Sequence, residues 1–138
     1  MDAQTSERNL ELRSSRDGAV LSFAPHNRDY FTVTLRANGL DATVRVSSYL
    51  SDGFAAFFAD LAADWRGWQG AREWSSLEGE CELRAESDRS GHVTLSVRAQ
   101  YRQSEVWTVE GSVVLEAGQL DAIAAAAKKF EENGIRTT

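Results

Sequence analysis

Phe31-Thr32-Val33-Thr34-Leu35-Arg36-Ala37-Asn38-Gly39-Leu40-Asp41-Ala42-Thr43-Val44-Arg45-Val46 is the stretch that decides the fold class. Phe31, Val33 and Leu35 alternate with Thr32, Thr34 and Arg36, and Ala42, Val44 and Val46 alternate with Thr43 and Arg45. Period-two alternation puts apolar side chains on one face of a strand and polar ones on the other. An Asn-Gly break between two such runs signals a hairpin. With Asn38-Gly39-Leu40-Asp41 as a four-residue turn, Leu35 pairs with Val44 and Val33 with Val46.

The pattern extends outward from this hairpin. Upstream, Leu10 and Leu12 alternate with polar residues, Ser15-Arg16-Asp17-Gly18 reads as a turn, and Ala19, Leu21 and Phe23 return at period two. That pairs Leu12 with Leu21 and Leu10 with Phe23. Downstream, Phe54, Phe57, Phe58, Leu61 and Trp65 recur at helical spacing and form one buried stripe. Ser51 or Asp52 can cap this helix, and Gly67 ends it. Three strands follow. They carry Leu77, Gly79, Cys81, Leu83 and Ala85; then Val93, Leu95, Val97 and Ala99; then Trp107, Val109, Gly111, Val113 and Leu115 on their apolar faces. A last helix runs from about Gln119 to Glu132, with the stripe Leu120, Ile123, Ala124, Ala127 and Phe130, and Asn133-Gly134 stops it.

The expected fold class is therefore α+β: an antiparallel curved sheet with element order ββββ-α-βββ-α and both helices packed on its one dry face. Residues 1–8 read as a flexible tail and 9–134 as one domain. Matching faces in the last three strands set Cys81, Val97 and Gly111 in one row and Leu83 opposite Leu95. The small residues of that region suggest a trough for a closely approaching helix backbone. The same register places Arg98 between Glu80 and Glu110 on the wet face.

Bulk properties exclude several function classes. The 138 residues carry a formal charge of −6 with 42% hydrophobic residues. Acidity argues against nucleic acid, which is held by clustered Lys and Arg. No apolar run approaches the roughly 18 residues needed to span a bilayer, and Met1 to Leu10 has no apolar targeting core. A cytoplasmic location without membrane contact is the expectation. The single cysteine, Cys81, cannot close an intramolecular disulfide and reads as a small buried hydrophobe. No phosphate loop, nucleophile elbow, paired-cysteine or metal-helix motif is present, and His26 and His92 have no ligand spacing. Neither a cofactor, a metal nor a catalytic constellation is expected.

Two stretches stand out as binding candidates. Glu78, Glu80, Glu82 and Glu86 alternate along one strand and would line up on a wet face, either simply solvated or as an acidic docking surface. Trp65-Arg66-Gly67-Trp68-Gln69-Gly70-Ala71-Arg72-Glu73-Trp74 holds three of the four tryptophans, interleaved with arginine. Trp65 lies on the helix stripe and reads as core. Trp68, Arg72 and Trp74 either seal a sheet edge or anchor a partner, since Trp and Arg combine large contact area with a polar handle.

The run Phe57-Phe58-Ala59-Asp60-Leu61-Ala62-Ala63-Asp64-Trp65-Arg66-Gly67-Trp68, with Arg72-Glu73-Trp74 and Leu77-Glu78-Gly79, resembles a family of short bacterial proteins of unknown function. Gly91-His92-Val93-Thr94-Leu95, Trp107-Thr108-Val109-Glu110 and Glu116-Ala117-Gly118-Gln119-Leu120 are similar to later parts of it, so the resemblance spans roughly residues 20–130. It implies one domain with this element order and no particular chemistry. The expected function is a non-enzymatic module that binds another bacterial protein, immunity- or regulator-like, through Trp68, Arg72, Trp74, Glu78, Glu80 and Glu82. The alternative is a small-molecule binder or enzyme with a pocket between sheet and helices, walled by Trp68, Trp74, Tyr101 or Trp107.

Overall fold

The computed structural model describes residues 9–27, 29–47 and 53–132. The expected tail (1–8), the Ser51 or Asp52 cap and the Asn133-Gly134 stop lie outside the described residues. Strands β1 (Leu10–Arg13), β2 (Val20–Pro25), β3 (Tyr30–Ala37) and β4 (Leu40–Ser47) precede helix α1 (Phe54–Ala63). Strands β5 (Ala71–Ser75), β6 (Cys81–Ser87), β7 (His92–Arg102) and β8 (Val106–Glu116) follow, then a short 3-10 turn and helix α2 (Leu120–Phe130).

The α+β class and the antiparallel pairing hold, but there are two sheets rather than one. Each has four strands in sequential order, β1-β2-β3-β4 and β5-β6-β7-β8. Hairpins join only neighbours within each block, and the blocks are separated by α1. Each sheet's alternating pattern supplies one dry face, and the two dry faces bury each other. They meet closely at Gly111 of β8, where a Cβ would lie 2.6 Å from Leu35 Cδ2 of β3. The expected trough of small residues reduces to Gly111 alone, since its row holds Trp74, Leu83 and Val97, and Gly111 receives a leucine from the facing sheet instead of a helix backbone. Nor do the helices cover one face. Phe54 of α1 packs against Phe23 and Phe31 of the first sheet, Trp74 of the second, and Phe130 of α2. The helix stripes thus close the space between the sheets.

Local registers follow turn chemistry. Leu10 faces Phe23 and Leu12 faces Leu21, as the alternation predicts. The β3–β4 hairpin turns on Asn38 and Gly39 alone, with Gly39 at φ 80°. Leu35 therefore meets Ala42 and Val33 meets Val44, two residues from the expected register. A shift of two keeps every side chain on its face, so face matching cannot detect it and only the turn decides. The β6–β7 hairpin departs in the same way. Leu83 meets Val97, and Ala85 meets Leu95, while Leu95 meets Val113 as expected. Its loop runs through Arg89 at φ 58° and Gly91 at φ 100°, and closes with the Asp88 N–H donating to His92 C=O at 3.0 Å.

Candidate functional site

The tryptophan segment is organised by where α1 stops. The helix ends at Ala63, with the Asp64 N–H donating to Asp60 C=O, four residues before the expected glycine stop. Trp65 leaves the stripe and is 52% exposed, with the Arg66 guanidinium 5.0 Å from its ring centre. Gly67, at φ 122°, packs so tightly on the β6–β7 loop that a Cβ would lie 2.6 Å from Arg89 Cγ and 2.9 Å from Ser87 Oγ. The chain then turns inward. Trp68 is 7% exposed and its indole N–H donates to Ala85 C=O at 3.4 Å. Trp74 is 9% exposed and meets Phe54 edge-on at 5.1 Å. Trp65, expected in the core, is instead the surface ring, and of the two readings of Trp68 and Trp74 the one in which they seal the sheet edge fits their burial.

This arrangement has a definite cause. Residues 71–75, which sequence reading leaves as loop, form strand β5 on β6, with Arg72 opposite Ala85 and Trp74 opposite Leu83. Trp74 points to the dry face and Glu73 and Ser75 to the wet one, a five-residue alternation too short to distinguish from loop. Arg72 is held by Asp64 at 2.6 Å, donates to Asp60 C=O at 3.3 Å, and lies 4.9 Å from the Trp68 ring centre. It fastens β5 to the end of α1.

The expected glutamate row also dissolves. Glu78 lies in the β5–β6 turn, before β6 begins, and its carbonyl accepts from the Arg102 guanidinium. Glu80 is an internal brace. Its carboxylate accepts from the Ser76 hydroxyl at 2.9 Å and from the Ser47 N–H at 3.2 Å, while its carbonyl accepts from Gln100 N–H at 2.8 Å. Among the candidate glutamates, Glu82 alone stands on the outer strand face, with Glu86 four residues further on.

What the second sheet does present is a concave outer face of about 720 Å³. Cross-strand pairing lays it out in rows: Ser75, Glu82, Arg98 and Glu110; then Glu73, Arg84, Ser96 and Ser112. Arg98 lies between Glu82 (3.8 Å) and Glu110 (3.2 Å), with Glu82 replacing the expected Glu80 because of the two-residue register difference. Arg84 likewise bridges Glu73 (3.2 Å) and Glu86 (3.3 Å). Short serines floor the concavity and long charged side chains rim it. Four carboxylates against two guanidiniums leave the face acidic. Sequence reading placed Arg98 and Glu110 on the wet face but missed Glu73 and Arg84 as parts of the same surface, because their adjacency depends on β5 and on the register.

A second cleft, about 610 Å³, lies where the ends of β4 and β7 meet. It is lined by His26, Tyr30, Arg45, Glu78, Tyr101 and Arg102 among others. Tyr101 stacks on Trp107 at 5.4 Å, and Arg45 lies 5.7 Å from the Tyr30 ring centre. No helix residue lines it, so it is not the expected pocket between sheet and helices.

Cys81 is fully buried. Burial, with Glu80 and Glu82 adding to it, pushes its thiol far above the usual range and leaves it a poor nucleophile. Among the described residues, no group of three His, Cys, Asp or Glu is placed to hold a metal ion. Among them, too, no helix is long and apolar enough to cross a membrane.

A search of curated proteins finds no match. The family model that does match covers residues 3–134, nearly the whole chain. The chain belongs to this family, DUF6228, a family of unknown function.

Proposed function

We propose that the protein is a non-enzymatic binding module, immunity- or regulator-like, that engages another bacterial protein in the cytoplasm through the outer face of β5–β8. The observation that supports it is the charge layout of that face: Arg84 and Arg98 are each held between two glutamates, leaving Glu73, Glu82, Glu86 and Glu110 in excess around a floor of serines. The natural complement is a convex protein surface rich in Lys and Arg. The rim pairs are solvent-exposed and contribute little to folding, typically under about 1 kcal/mol each, so the face can exchange them for intermolecular pairs. Complementary fields of this kind raise association rates and fade as salt shortens the screening length to about 8 Å near 0.15 M.

The test is affinity capture from host extract with the wild-type chain and with Glu82→Lys/Glu110→Lys. A partner that is lost on charge reversal, released by added salt, and retained by Glu11→Lys on the other sheet supports the reading. Equal recovery by all three proteins would refute it. If small metabolites rather than a protein bind, and Arg45→Ala abolishes that binding while charge reversal does not, the cleft at β4 and β7 is the site instead.

A further inference from the structure

The edges of the two sheets are protected unequally. An open edge exposes unpaired N–H and C=O groups and is normally blunted by charge, brevity or cover. Strand β1 has four residues, including Glu11 and Arg13. Strand β4 carries Asp41 and Arg45, and β5 carries Arg72 and Glu73, with Arg72 tied to α1. Strand β8 has eleven residues, and its segment Val106–Ser112 carries a single charge, Glu110. Val106 at its start is 75% exposed, and Thr108, Glu110 and Ser112 are exposed.

Which backbone groups this edge offers can be read from its far end. The Ser15 N–H donates to Val114 C=O at 2.8 Å, and the Val114 N–H donates to Ser14 Oγ at 3.1 Å. Val114 therefore points its backbone groups away from β7. The β7–β8 register runs without a bulge from His92–Glu116 to Arg102–Val106. By alternation, Ser112, Glu110, Thr108 and Val106 point theirs the same way. Among the described residues these four have no backbone partner.

We propose that this edge pairs with β8 of a second copy of the chain, antiparallel, with Val109 on the twofold axis. Three features of the segment make it self-complementary in that register. Val106 meets the partner's Ser112 and Thr108 meets the partner's Glu110, so every hydrogen-bonded pair joins two residues with outward groups. Val109 meets its own counterpart. The one charge meets a threonine. Moving the twofold axis one residue towards the C-terminus would place the two Glu110 carboxylates opposite each other, which is destabilising. The product is one continuous eight-stranded sheet with two outer faces side by side, and it stands whatever those faces bind.

Sedimentation of the full chain over a concentration series tests this, with hydrogen exchange read on each species. The wild type forms a reversible dimer, in which the amides of Val106, Thr108, Glu110 and Ser112 slow while those of Trp107, Val109 and Gly111 are protected in monomer and dimer alike. Thr108→Pro, whose lost N–H serves no bond to β7, gives a folded monomer. Thr108→Lys and Thr108→Glu both keep an exposed surface position, so both fold. Each creates two symmetric pairs with Glu110, and the dissociation constant shifts by about 2- to 30-fold, tighter for lysine and weaker for glutamate. A wild type that stays monomeric throughout, a dimer whose outward β8 amides remain fast, or lysine and glutamate variants that shift in the same direction would each overturn the proposal.

Discussion

Replacing Trp68 with alanine is the most demanding check on the packing. The ring is 7% exposed, donates to Ala85 C=O, and carries the Arg72 guanidinium over its face. Truncation deletes most of a large buried side chain and opens a cavity beside β6, because neighbouring strands cannot collapse inward. A buried Trp→Ala change costs about 3–5 kcal/mol. With a urea dependence of about 2 kcal/mol per molar, the unfolding midpoint should fall by roughly 1.5–2.5 M. The comparison is Trp65→Ala, three residues away and identical in chemistry. Trp65 is 52% exposed and its main contact is a solvent-facing Arg66. Its removal should cost under about 1 kcal/mol, a midpoint change under roughly 0.5 M. Urea unfolding followed by far-ultraviolet circular dichroism avoids confusing a lost fluorophore with lost structure. Equal losses, or the larger loss at Trp65, would refute the inward turn at Gly67 and the whole assignment of β5.

Three further outcomes follow from individual contacts. Gly111→Ala forces a methyl to 2.6 Å from buried Leu35, and overpacking should cost about 1–3 kcal/mol in the same assay; no loss would mean that the sheets do not meet there. The Asp88 carboxyl is held below the usual aspartate range, first by the Ser90 N–H and then by the His92 N–H. A depressed carboxyl stabilises above the ordinary aspartate range and loses that contribution as pH falls through its folded value, so Asp88→Asn should flatten the acid limb of stability against pH; an unchanged limb would refute the turn geometry. Native Cys81 should resist a disulfide-exchange reagent and react only on unfolding, since its thiol is buried and pushed up; rapid labelling of the folded chain would contradict its place in the core.

The division between what sequence and tertiary structure decide follows the range of the forces involved. Alternation and turn residues are local, and they were enough for the hairpins, the antiparallel pairing, the inward faces of β2, β3 and β7, and the Phe54–Leu61 stripe. They also assigned Leu10 to Phe23 and Leu95 to Val113. Registers at β3–β4 and β6–β7 were legible only modulo two, because a two-residue slip leaves every side chain on its face; Gly39, Arg89 and Gly91 at positive φ settled them. Long-range packing decided the rest. Whether two blocks of strands share one sheet or bury two dry faces against each other depends on partners far apart in the chain, such as Leu35 on Gly111. The same packing drew Trp68 and Trp74 inward and left Trp65 outside, although helical spacing puts Trp65 on the buried stripe. It also brought Glu73 and Arg84 beside Arg98 and Glu110, which alternation alone had put on the wet face, once β5 had paired.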